Sequence, residues 1–319
     1  MKLIITIDTE EDNWDKYSRT ENPVENLKKI TPLQKIFDRY GVKPTYLISY
    51  PVATDPESIE ILKCILDQGR CEIGTHCHPW NTPPFDEEIN EHNTMLSNLP
   101  ESLVLQKLQS LHEVISQNFG VVPVSFRAGR WGFSPSVARC LEKLDYKVDT
   151  SVSPFVDWRE YQGVDFSDYP LNDYRFDPDD IKKQESAGAL VQVPVTIGYL
   201  QGDPYKSHAI AEKLRSGFFK KMHVHSVVWR LGLFNKIWLS PEHSTAREMI
   251  KISSVFLRRG IGHLNMAFHS TSLMQGLTPF NQNSDEENKL FQRIEDCLKY
   301  ISDQKIESST LSQFATNPG

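Results

Sequence analysis

Glu72 to Trp80 reads EIGTHCHPW. A β-type run leads into two histidines two residues apart, followed at once by proline and tryptophan. Alternate residues of an extended strand share a face, so His76 and His78 can aim their imidazoles at one point while Cys77 faces away. A hydrogen-bonded pair would show the same spacing, which recurs at His223 and His225 in KMHVHSVVWR (Lys221 to Arg230). The rest of the chain must show what kind of sheet this strand belongs to.

Six further runs share its character: Leu3 to Asp8 (LIITID), Pro44 to Tyr50 (PTYLISY), Val124 to Ala128 (VSFRA), Lys147 to Ser151 (KVDTS), Ala189 to Thr196 (ALVQVPVT) and His263 to His269 (HLNMAFH). Helical patterns lie between them. In TPLQKIFDRYG, Leu33, Ile36, Phe37 and Tyr40 share a face and Gly41 stands at a C-terminal stop. ESIEILKCILDQG, ESLVLQKLQSLHEVISQNFG and SPSVARCLEKLDY repeat the scheme. Alternating strands and helices predict an α/β fold with parallel strands, and seven strands permit closure into a distorted (β/α)7-type barrel; an open doubly wound sheet is the alternative. Residues 154–188 are polar, aromatic and punctuated by proline and glycine, which predicts a long loop insertion. Pro204 to Leu239 is expected to be helical, as is Glu242 to Gly260. With no repeat or linker, residues 1–319 are read as a single domain.

The bulk properties bound the function. Of the 319 residues 39% are hydrophobic and 24% charged, as in ordinary soluble proteins. A net charge of −7 argues against a nucleic-acid partner. Five scattered cysteines without a C-x-x-C pair fit a reducing compartment rather than a disulfide framework. The five-residue apolar run of MKLIITIDTE is too short for a signal peptide, and no eighteen apolar residues run together. The expected location is cytoplasmic, without membrane insertion.

Parallel α/β sheets assemble their sites at the carboxyl ends of the strands. Here those ends read Asp8-Thr9-Glu10-Glu11-Asp12, His76-Cys77-His78, Arg127-Ala128-Gly129-Arg130, Asp149 and His269. Each alone could be turn chemistry. Together, histidines and carboxylates on one rim suit a catalytic divalent metal, zinc first, with cobalt or nickel as alternatives. Such an ion acidifies water, a nearby carboxylate can serve as base, and His269 on another strand can protonate a leaving amine. The set suits amide hydrolysis.

The order of these motifs resembles the NodB-homology polysaccharide deacetylases, carbohydrate esterase family four, from Thr6 to about His269. The resemblance implies a distorted (β/α) barrel and metal-dependent removal of acetyl groups from a carbohydrate substrate. Thr6-Ile7-Asp8-Thr9-Glu10 stands where the family has Thr-Phe-Asp-Asp-Gly. Asp8 then takes the role of general base. Thr9 replaces the usual second, metal-binding aspartate, so the carboxylate ligand moves to Glu10, which the strand period places on the side of Asp8. His76 and His78 stand for histidines that the family spaces four apart. Arg127, in RAGRWG, would hold the base, and His269, in MAFHS, would be the general acid. The carboxylate that orients His269 would be Asp149, with Asp157 beside Trp158 as the second choice. Trp158, Tyr161 and Tyr169 could stack on a sugar. His223 and His225 match no motif. The alternatives are a hydrolase of small cyclic amides or of glycosidic bonds, and a metal-free carbohydrate-binding relative.

Overall fold

The computed structural model describes residues 1–215 and 234–316. The expected His223/His225 pair lies outside them. Twelve strands are found among the described residues: β1 (Lys2–Thr9), β2 (Thr45–Ile48), β3 (Glu72–Cys77), β4 (Ser125–Ala128), β5 (Val148–Asp149), β6 (Tyr174–Asp177), β7 (Asp180–Gln184), β8 (Leu190–Gln192), β9 (Ile197–Tyr199), β10 (Lys236–Trp238), β11 (His263–His269) and β12 (Glu307–Ser308). The main sheet runs β11-β1-β2-β3-β4-β5-β8-β6-β7, with β12 on the start of β1. Every neighbour from β11 through to β8 is parallel. Those seven strands are the seven expected runs.

The parallel ladder stops at β8 and β11, but the chain just after β8 meets β11. Thr196 N–H donates to Asn265 O at 3.0 Å, and the Asn265 amide reaches Val193 O at 3.3 Å. The sheet thus curls into the distorted (β/α)7-type barrel without a continuous ring of strand pairs. Its inside is polar. Arg127 is 1% exposed, with Nη2 donating to Thr6 Oγ1 at 2.5 Å and Nε to Thr150 O at 3.1 Å. The hydrophobic core lies outside the barrel, under the helices. Glu101–Phe119 lays Val104, Leu108, Leu111, Ile115 and Phe119 on the sheet and stops at Gly120, whose φ of +71° suits a residue without Cβ. Truncating Leu111 there would cost about 2–5 kcal/mol.

Three expectations are corrected. The loop at 154–188 contains the β6–β7 hairpin, which extends the sheet antiparallel through β8; Tyr174 and Phe176 alternate inward with exposed Arg175, a strand pattern hidden among polar residues. The run 44–50 ends as a strand at Ile48, because Tyr50-Pro51 opens a short helix, Tyr50–Thr54. The helix expected from Glu242 starts at Ala246. Thr245 Oγ1 accepts the Glu248 N–H at 3.3 Å and Glu248 accepts the Thr245 N–H at 2.9 Å, a reciprocal cap that fixes the start and leaves Glu242 in a turn.

Candidate functional site

Register brings the strand ends together. Asp8 pairs with His269 across β1 and β11, and His76 with Arg127 across β3 and β4. Thr9 turns away, its hydroxyl donating to Ile7 O at 3.0 Å, so Asp8 and Glu10 share the inner side. Two links outside the strand fix Glu10. Its N–H donates to Ser270 Oγ at 3.1 Å, and its carbonyl accepts the Asn26 amide at 2.9 Å. Gly129 lets the end of β4 pass the ring of His78, since a Cβ there would meet His78 Cδ2 at 2.3 Å.

Glu10, His76 and His78 are buried and offer ligand atoms within 4.8 Å of one another. Nδ1 of His76 faces the Arg127 carbonyl at 3.1 Å, and Nδ1 of His78 faces Glu11 Oε1 at 2.9 Å. Both partners are acceptors only, so each Nδ1 carries a proton, and in the neutral ring each Nε2 presents a lone pair. The two Nε2 atoms stand 3.0 Å apart, and Glu10 Oε2 lies 3.3 and 3.4 Å from them. With Glu10 ionised and both rings neutral, three electron-rich atoms at such separations repel, and a cation among them would relieve it. Ligands around a tetrahedral zinc with bonds of about 2.0–2.1 Å stand about 3.3 Å apart, so the donor set fits a divalent ion in spacing and chemistry. Glu11, in turn held by Ser49 Oγ at 3.1 Å, supplies the outer carboxylate that commonly orients a ligating histidine.

Electrostatics separates the buried carboxyls. Burial alone would raise Asp8, but the Arg127 charge, its Nη1 2.7 Å away, together with His76 and His269, holds it below the ordinary range. Burial pushes Glu10 up to about 8, relieved by His269 and His78 and reinforced by Glu11 and Asp8. Burial lowers His76 toward the neutral ring that ligation needs. His269 goes the other way. Burial opposes its charge, but Glu242, then Glu10 and Asp8, lift it to about 10.

Glu242 holds the Nδ1 of His269 with both oxygens at 3.1 Å, accepts the His269 N–H at 2.9 Å, and is itself held by Ser272 Oγ at 2.6 Å. This corrects the expectation for Asp149. Both Asp149 oxygens accept from Ser151, at 2.8 Å from its N–H and 2.6 Å from its hydroxyl, and burial raises its carboxyl to about 7. Ser151 Oγ in turn accepts the Ala128 N–H at 2.8 Å, so Asp149 braces the end of β4. Asp157 is spent on Arg159. The reading from sequence missed Glu11 and Glu242. Thr245-x-x-Glu248 is the signal that would have started the helix after Glu242 and left it as a turn residue.

The ligand triad, Asp8 and His269 lie in one cavity of about 360 Å³. Five tryptophans wall it: Trp14, Trp80, Trp131, Trp158 and Trp238. Trp158 and Tyr161 line it as expected. Tyr169 does not; it packs edge-on against Phe166 at 5.0 Å, away from the cavity.

No family model matches the chain, and no curated protein matches it in sequence. Solved structures match in fold. A protein of Parabacteroides distasonis described as a glycoside hydrolase/deacetylase superposes with a TM-score of 0.62 at 13% identity, over 99% of this chain and 70% of its own. A protein of Mycobacterium smegmatis described as a polysaccharide deacetylase gives 0.56 at 15%, over 99% and 89%. The 4-alpha-glucanotransferase of Thermococcus litoralis gives 0.50 at 11%, over 99% of this chain and 38% of its own. The fold is therefore the one on which proteins described as polysaccharide deacetylases are built.

Proposed function

We propose that the protein is a divergent NodB-type carbohydrate esterase, a zinc-dependent hydrolase that removes an acetyl group from an N-acetylated sugar or glycan precursor. The observation that carries this is the meeting of three electron-rich atoms, on Glu10, His76 and His78, between a carboxylate held ionised by Arg127 and an imidazole held protonated by Glu242. A divalent ion held there supplies Lewis acidity toward an acyl oxygen and lowers the pKa of water.

The chain's own groups account for the protons. Asp8, kept as a carboxylate, accepts the proton of the attacking water as its oxygen bonds to the acyl carbon. His269 stands with Nε2 3.7 Å from Asp8 Oδ2. When the C–N bond breaks, it gives its Nε2 proton to the departing amine, and Glu242 keeps the ring in the orientation that allows this. The aromatic walls offer flat faces to a sugar ring.

The test is acetate release from N-acetylated sugars by purified protein, alongside its metal content. About one divalent ion per chain and acetate release that a chelator abolishes and zinc restores are expected. New reducing ends without acetate would move the reading to glycosidic cleavage. Sugar binding with neither metal nor products would make the chain a binding protein.

A further inference from the structure

The turn after β4, Gly129-Arg130-Trp131-Gly132, puts its strain in an unusual place. Left-handed backbone falls on the two residues that carry side chains, Arg130 at φ +52° and Trp131 at φ +60°. Consecutive L-residues avoid that region, and such outliers collect where a site fixes them. Here they turn both side chains onto the cavity wall. Trp131 lies under the Arg127 guanidinium at 5.3 Å, and Arg130 lies over Tyr17 at 5.4 Å.

Arg130 is the only arginine or lysine lining the cavity among the described residues; the other groups of fixed charge there are carboxylates. It is 20% exposed, and of its five N–H donors the described contacts use one, on Thr94 Oγ1. Glu91 is a poor partner, 3.9 Å away with a carboxylate 56% exposed, where an ion pair contributes little. A guanidinium with unused donors on an aromatic wall is suited to take an oxyanion, in the bidentate manner that arginine favours. Its position suits a substrate already seated at the metal. Ring contacts of 4.2 Å from His78 to Trp80 and 4.9 Å from Trp80 to Tyr17 lead from the triad toward the guanidinium, which lies over Tyr17, so triad and guanidinium share one cavity wall.

We propose that Arg130 selects the substrate: the acetylated sugar carries an oxyanion, a carboxylate or a phosphate, that Arg130 binds while the acetyl group lies at the triad. This rests on the acetyl-sugar reading above and names the class of sugar. Tryptophan fluorescence of the full chain gives a test that needs no turnover. It is titrated with N-acetylglucosamine, its 1-phosphate, the corresponding uronic acid and inorganic phosphate. One of the two anionic sugars is expected to bind roughly tenfold or more tighter than the neutral one. The two arms tell phosphate from carboxylate. In Arg130→Gln the anionic-over-neutral ratio falls to near one, and in Arg130→Lys part of it returns. A purely structural Arg130 would weaken both sugars and leave the ratio standing. Equal affinity in the wild type, a ratio that survives Arg130→Gln, or no sugar binding at all would overturn the inference. An anion preference without acetate release from any of these sugars would overturn the deacetylase reading alone.

Discussion

Two histidine–carboxylate pairs flank the cavity, and they are alike where they touch and opposite in what they face. His78 meets Glu11 at 2.9 Å and His269 meets Glu242 at 3.1 Å, each through Nδ1. Beyond the ring they diverge. Nε2 of His78 looks at Nε2 of His76 and at Glu10, a donor set that suits a cation; Nε2 of His269 looks toward Asp8, which favours a proton kept on the ring. A carboxylate on Nδ1 fixes tautomer and orientation in both cases. The neighbour at the far nitrogen decides whether the imidazole offers a lone pair or a proton.

Removing the lone pairs should give the largest effect. His76→Ala is expected to bring metal content from about one ion per chain to none, read by elemental mass spectrometry, with hydrolysis lost. Retained stoichiometric metal would break the comparison at its first term. Asp8→Asn and His269→Gln act on the proton side. Each should keep the ion while kcat falls by roughly 10²–10⁴, the usual span of general acid–base catalysis. Loss of metal in either would mean that the two sides are not separate.

The two outer carboxylates offer a smaller and sharper contrast. Glu11→Gln should weaken metal affinity by about 10- to 100-fold and leave kcat nearly intact at saturating zinc, as loss of an outer partner does. Glu242→Gln should leave metal affinity close to unchanged and lower kcat. It should also move the alkaline limb of the pH profile down, because the charge that lifts His269 to about 10 is gone and the ring gives up its proton at lower pH. An exchange of these two phenotypes would invert the comparison.

How much of this was legible follows from where each residue sits. β1, β3, β4 and β11 are buried runs whose ends the period of two reads correctly, which is why Asp8, Glu10, His76 and Arg127 could be placed on one rim from spacing and resemblance together. Glu11 breaks that period. β1 ends at Thr9, and the chain bends so that Glu11 reaches Ser49 and His78 instead of the outer face. Glu242 is 27 residues from His269, in a turn behind the three-residue β10; the Thr245–Glu248 cap puts it outside the helix, but no local pattern ties it to His269. Asp149 was at a strand end, as a site residue should be, but Ser151 two residues on takes both its oxygens, a local bond that sequence spacing does not weigh against a distant histidine.

The smallest effect bears on what the metal side costs the empty fold. Glu10 has a folded pKa raised by burial to about 8 from an ordinary 4.5, so the folded chain binds its proton more tightly than the unfolded chain does. By linkage, the stability that this group contributes is fully present below about 4.5 and is lost as pH rises through about 8. His269, raised to about 10 from 6.5, loses its contribution in the same direction over a higher window. Metal-free protein should therefore melt lower at pH 9 than at pH 6. Glu10→Gln removes the buried charge and should raise the melting temperature of metal-free protein at pH 9, read by thermal denaturation beside the wild type. The same variant should gain little from zinc. A metal-free Glu10→Gln protein that melts below the wild type at pH 9 would show that Glu10 stabilises the fold without an ion, and the repulsion argument for the triad would fall with it.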